Sequence, residues 1–180
     1  VLTDSSYSSQ ETFPILFLNN PDASSTNSLL ITPQTGTYVS INSGTTTSST
    51  LKFMGARYIT LDGLNTPSTA LSIEQYTSNS HWYPTVIWLA SQGTVTGNSD
   101  LAFRRLSIFS RYIGINSCRH DTLSTLGGVN NNNITIEANY FRAGQYAIYA
   151  GGTGPNGPYP GSIDNWHIKN NFLGGPGTYS

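Results

Sequence analysis

Apolar and polar residues alternate over short segments of this chain, and few windows repeat apolar residues at the i, i+3, i+4, i+7 spacing of a helix. The alternating segments are "YVSI" at 38–41, "LKF" at 51–53, "YITLDG" at 58–63, "ALSIE" at 70–74 and "TVIWLA" at 85–90, followed by "LAFRRL" at 101–106, "YIGIN" at 112–116, "ITIE" at 134–137, "YAIYA" at 146–150 and "WHIK" at 166–169. Gly, Pro or Asn interrupts nearly every longer run. The pattern predicts an all-β chain of short strands: a sandwich, a barrel or a β-solenoid.

Spacing between segments chooses among these. Twelve residues after Leu61, Phe103 and Ile136 stand Ile73, Ile115 and Ile148, each in the next predicted strand. Equivalent strands are 42, 33 and 32 residues apart, from 61 to 103, 136 and 168. A fixed strand–turn–strand unit within coils of variable length is what a solenoid needs, since stacked strands must stay in register while loops grow outward. The expected fold is a right-handed parallel β-helix of about five coils. Residues 1–28 are expected to form an N-terminal coil or cap and residues 29–175 the stack, as one domain or a piece of a longer solenoid.

Stacking in this register builds columns of side chains about 4.8 Å apart. Ile59, Leu101, Ile134 and Trp166 would line the interior beside Leu61, Phe103, Ile136 and Ile168. The outward column one residue later reads Asp62, Arg104, Glu137, Lys169, alternating in charge. Opposite charges on neighbouring strands stabilise by roughly 0.2–1 kcal/mol, so the column is expected to act as a structural ladder with Arg104 neutralising both acids. As a catalytic set, Asp62 and Glu137 would lie roughly 9–10 Å apart, near the upper limit for an inverting glycosidase. Arg104 between them opposes that reading, because a general acid needs a raised pKa and a neighbouring cation lowers it.

Composition narrows the partners. Charged residues are 9% of 180 and the net charge is −1, which gives no footprint for nucleic acid. No apolar run is long enough to insert in a membrane. Many Ser, Thr and Asn with few Lys and Glu point to an extracellular or cell-surface setting. Cys118 is the only cysteine, so no internal disulfide forms. Neither a structural metal nor a cofactor is expected: the three histidines lack ligand spacing, and "GGTGPNGPYPG" at 151–161 has neither the glycine spacing nor the Lys-Ser/Thr of a phosphate cradle. "SCRHD" at 117–121 is dense in ionisable groups, but neighbouring side chains of an extended segment diverge, and it reads as a solvated loop.

Three stretches, "FMGARYITLDGLN", "NNITIEANYF" and "NWHIKNNFLGG", resemble the coil signature of secreted bacterial right-handed parallel β-helix repeat proteins of the pectate-lyase-like kind. In that signature a strand such as "ITI" is followed by an asparagine-centred turn and a large apolar residue. The resemblance covers about residues 50–175 and speaks to fold more than function, since the group spans lyases, hydrolases, phage tailspikes and adhesins. The carboxylate clusters and His-Gly motifs that the resemblance implies for the enzymes are missing here: nine acids are scattered and no histidine precedes glycine.

One loop remains as candidate binding chemistry. Tyr76, Trp82, Tyr83 and Trp88 crowd the region between the strands at 71 and 85, where flat rings could stack on sugar C–H faces. The expected function is a non-catalytic surface solenoid with a structural, assembly or adhesion role, possible glycan binding by these residues, and no cofactor. A polysaccharide lyase, glycoside hydrolase or tailspike-like protein is the alternative. The last segment, "WHIKNNFLGG", reads as an unfinished coil, so another domain, subunit or copy is expected against that end.

Overall fold

The computed structural model describes residues 1–44, 47–76, 84–90, 97–117, 131–150 and 163–174. Among the described residues, sixteen strands visit three parallel sheets in strict rotation. The first sheet contains β1 (Ser6–Tyr7), β4 (Tyr38–Asn42), β7 (Ala70–Gln75), β10 (Ser107–Ser110), β13 (Tyr140–Ala143) and β16 (Phe172–Gly174). The second contains β2 (Ile15–Leu18), β5 (Ser49–Met54), β8 (Thr85–Ala90), β11 (Ile113–Ser117) and β14 (Tyr146–Ala150). The third contains β3 (Leu29–Ile31), β6 (Arg57–Asp62), β9 (Ser99–Arg104), β12 (Asn132–Glu137) and β15 (His167–Lys169). Every strand pairs with the strand three earlier or three later, so the chain is a parallel β-solenoid. Among the described residues no helix is long and apolar enough to cross a membrane.

The register follows the apolar period. Leu61 pairs with Phe103, Phe103 with Ile136 and Ile136 with Ile168, which fixes the 42-, 33- and 32-residue coils. Alternation sends one set of side chains inward from each sheet. Leu61, Phe103 and Ile136 from the third sheet meet Ile73, Ile108 and Phe141 from the first, and Phe53, Leu89 and Ile115 from the second, in one continuous core. Phe17 stacks on Phe53 at 4.5 Å between centroids, and Phe53 meets Phe103 edge-on at 5.4 Å.

The twelve-residue step is not one repeated unit. From Leu61 it crosses the seven-residue turn 63–69 and lands on Ile73 in the first sheet. From Phe103 or Ile136 the turn is only two residues long, so the same step passes over a whole strand, β10 or β13, and lands in the second sheet. The strands "SIFS" and "YFRA" are short and carry one inward apolar residue each, Ile108 and Phe141, which is why alternation alone does not mark them.

Short turns between the third and first sheets depend on special backbone. Arg105, Ala138 and Asn170, the first residues of successive turns, all have φ between 51° and 56°. Gly63 sits at the corresponding place one coil earlier, where an added Cβ would lie 2.1 Å from the Arg105 carbonyl oxygen. Its lack of a side chain lets Gly63 N–H donate to the Arg104 carbonyl at 2.9 Å.

Both ends of the stack are bare among the described residues. Leu29 and Leu30 at one end, and Ile168, Phe172 and Leu173 at the other, are 48–64% exposed although their counterparts in the middle coils are buried or covered by the next coil. Residues 1–28 contribute β1 and β2, which already pair with β4 and β5.

Candidate functional site

Asp62, Arg104, Glu137 and Lys169 lie in one outward column, paired rung by rung. Lys169 Nζ is 3.0 Å from Glu137 Oε1, and Arg104 Nε is 3.7 Å from Glu137 Oε2. The partner of Asp62 is Arg105 rather than Arg104. Arg105 Nε donates to Asp62 Oδ1 at 2.9 Å, and Nη2 donates to Oδ2, giving a two-pronged grip. The reason is local: the strand stops at Arg104, the left-handed residue Arg105 turns back over the first acid, and Arg104 is left to reach the next one. Asp62 also accepts the Leu64 N–H at 3.0 Å, and its side chain is only 12% exposed.

The two acids named as catalytic candidates therefore do not converge. Each is turned toward its own cations, and two strand spacings, about 9.6 Å, separate their positions in the column. Chemically the column can bind coils together, with each acid paired to a cation.

Polar residues inside the turns form a second system. Leu106 N–H donates to Asn139 Oδ1 at 2.9 Å, and Asn139 N–H donates to Asn171 Oδ1 at 2.9 Å. Each Nδ2 returns to the carbonyl of a strand residue, Phe103 for Asn139 and Ile136 for Asn171. The same device recurs at the opposite corner, where Ala56 N–H donates to Asn98 Oδ1 and Asn98 N–H to Asn131 Oδ1, at 2.9 and 2.8 Å. An exposed string joins Asn165 to Asn133 to Asp100. Thus of "NNNN" at 130–133, Asn131 is a buried rung and Asn133 an outer one at φ 55°, while Asn130 lies outside the described residues. The Asn133-Ile134-Thr135 sequon has its amide engaged on both sides in this string.

The aromatic candidates separate. Trp82 and Tyr83 lie outside the described residues, as do His81, Cys118–Asp121 and residues 151–161. Tyr76 is half-buried just beyond β7. Trp88 is 2% exposed on β8, with Lys52 Nζ 4.0 Å from its ring centroid, so it presents no open face to a sugar. Alternation with the inward Ile87 and Leu89 places it on the outer side of the second sheet, under cover. Its register partner Asn116 is equally buried, and neither Trp88 Nε1 nor Asn116 Oδ1 has a hydrogen-bond partner among the described residues. Asn116 had no signal in the sequence beyond its place at the end of "YIGIN".

Aromatic surface lies instead on the first sheet. Tyr140 stacks on Phe172 at 5.2 Å and 8°, with Phe109 edge-on to Tyr140 at 6.0 Å. Phe172, at the end of this row, is 62% exposed, against 38% for Tyr140. Open clefts lie at the other end: about 420 Å³ beside Leu30, Pro33, Asp62 and Leu64, and about 520 Å³ beside Ser8, Glu11, Phe13 and Asn42. Among the described residues no three His, Cys, Asp or Glu side chains gather in a group able to hold a metal. No protein-family model, curated protein or solved structure matches the chain.

Proposed function

We propose that the chain is a non-catalytic extracellular or cell-surface β-solenoid module whose role is structural: it extends or caps an assembly by stacking coil on coil. The resemblance to pectate-lyase-like β-helix repeat proteins of secreted bacterial origin belongs to this reading, as do a surface location and a partner at the C-terminal end. One observation carries it. The acids of the outer column are held by Arg105, Arg104 and Lys169 along the stacking axis, while among the described residues apolar side chains that would continue that stack stand exposed at both ends. Glycan adhesion is a second role for the same module, favoured by the aromatic crowding at Tyr76, Trp82 and Tyr83 in the sequence.

The competing reading, a polysaccharide lyase or glycoside hydrolase using Asp62 and Glu137 with Arg104, is tested with one variant. Glu137→Gln removes pairings to two cations that are each about half exposed, so its cost in denaturant unfolding is expected below about 1 kcal/mol. Folded wild type and folded variant are both expected to leave polygalacturonate and other acidic polysaccharides uncut. Turnover by the wild type that Glu137→Gln abolishes would defeat the proposal.

A further inference from the structure

The ladders that hold the coils together do not stop for chemical reasons at the last described coil, and their open ends specify what fits there. Three of them reach it side by side. In the charge column the last described rung is Lys169, whose side chain is 56% exposed and, among the described residues, is held by Glu137. In the turn ladder the rule that each rung's N–H donates to the next asparagine's Oδ1 has been applied at Leu106 and Asn139, and Asn171 is the rung at which it next applies. In the aromatic stack Phe172 lies flat on Tyr140 and, as the last described ring, is 62% exposed. Ile168 and Leu173, the last residues of two inward columns, are 52% and 64% exposed between them.

Resting on the structural reading above, we infer that this end takes a further parallel β-coil of defined chemistry: an acid opposite Lys169, an asparagine two residues later over Asn171, and an aromatic residue immediately after it over Phe172. The spacing comes from the chain's own rungs, since Glu137, Asn139 and Tyr140 meet Lys169, Asn171 and Phe172 from the other side in this order. An acid completes the alternation of sign, an amide oxygen receives the Asn171 N–H, and a ring covers the bare face of Phe172.

That chemistry excludes the protein's own first coil as the occupant. Following the first sheet from Phe172 through Tyr140, Ser107 and Ser72 arrives at Ser40 on β4, the strand that follows β3, and Ser40 is not aromatic. Following the third sheet arrives at Ile31, after which Thr32 stands where the acid would be, and the turn 32–37 contains no asparagine. Strand count opposes head-to-tail stacking as well. The first sheet already has its sixth strand, β16, where a second copy setting β2 and β3 on β14 and β15 would need to place its β1.

The test uses the full chain as receptor and two peptides as probes. One is residues 132–143, "NNITIEANYFRA", which carries the three required side chains; the other is residues 29–40, "LLITPQTGTYVS", from the first coil. By fluorescence anisotropy the first peptide is expected to bind saturably below about 1 mM and the second not. The first peptide with Glu137→Lys is expected to bind at least about tenfold more weakly, and receptor Lys169→Glu to bind that altered peptide better than wild-type receptor does. Sedimentation of the receptor alone is expected to show a monomer. Absence of saturable binding, equal binding of both peptides, no recovery on charge reversal, or head-to-tail oligomers dissolved by the 29–40 peptide would each overturn the inference. Glycan cleavage would defeat the non-catalytic reading and leave these binding results unaffected, so the two failures are distinct.

Discussion

Phe103→Ala is expected to cost about 3–5 kcal/mol of unfolding free energy, measured by denaturant titration, without changing the parallel register. Phe103 is fully buried between Leu61 and Ile136 in the central column of the third sheet, and its ring meets Phe53 from the second sheet edge-on. Alanine removes the contact between two faces of the solenoid and leaves a cavity walled by strands that cannot close on it, because each is fixed by ladder hydrogen bonds to the coils above and below. A domain of this size has about 5–15 kcal/mol in total, so the loss would take a large part of it. Phe172→Ala, at the exposed end of the aromatic stack, is expected within about 0.5 kcal/mol of wild type when no partner is bound. Equal effects at the two sites would mean that the core does not run through the centre of the stack as described.

Asn98→Ala is expected to be nearly as damaging, about 3 kcal/mol, although it removes only an amide. Asn98 is fully buried; its Oδ1 accepts the Ala56 N–H, and its Nδ2 donates to the Ala90 carbonyl at 2.6 Å and to Asn131 Oδ1 at 2.9 Å. Alanine would remove the Asn98 bonds to the Ala56 N–H and the Ala90 carbonyl, both in residues with no solvent exposure. Each orphaned buried group costs roughly 1–3 kcal/mol. Asn98→Asp is expected to be no better, since it keeps the acceptor but loses both donations and brings a charge into the turn. A loss below about 1 kcal/mol for Asn98→Ala would show that the asparagine ladder is ornamental.

How much of this was legible in the sequence depends on which residue is asked. Leu61, Phe103, Ile136 and Ile168 announced their register, because inward apolar residues on parallel strands must recur at coil length. Asn139 and Asn171 could be matched 32 residues apart for the same reason. Three sheets could not be told from two, since β10 and β13 contribute one inward residue each and the length of the turn before them varies with the coil. Arg105 as the partner of Asp62 was hidden by the assumption that strand neighbours stay in column; a left-handed residue at the strand end breaks that rule. Trp88 looked like binding chemistry because its outer position is real, but alternation does not reveal that an outward side chain is covered. Asn131 matches Asn98, 33 residues earlier, by the same coil-length rule that matches Asn139 to Asn171.

The central claim is that the polar residues resembling site chemistry are spent on holding one coil to the next. Hydrogen exchange on the Leu106 amide tests it most directly, because this N–H donates to a side chain, Asn139 Oδ1, and not to a strand. In the wild type the Leu106 amide is expected to be as protected as those of neighbouring strand β9. In Asn139→Ala, under conditions where the variant is folded, Leu106 is expected to lose protection by at least about tenfold more than the β9 amides do. Rapid exchange at Leu106 in the wild type, or a change in Asn139→Ala no larger than that of β9, would contradict the account.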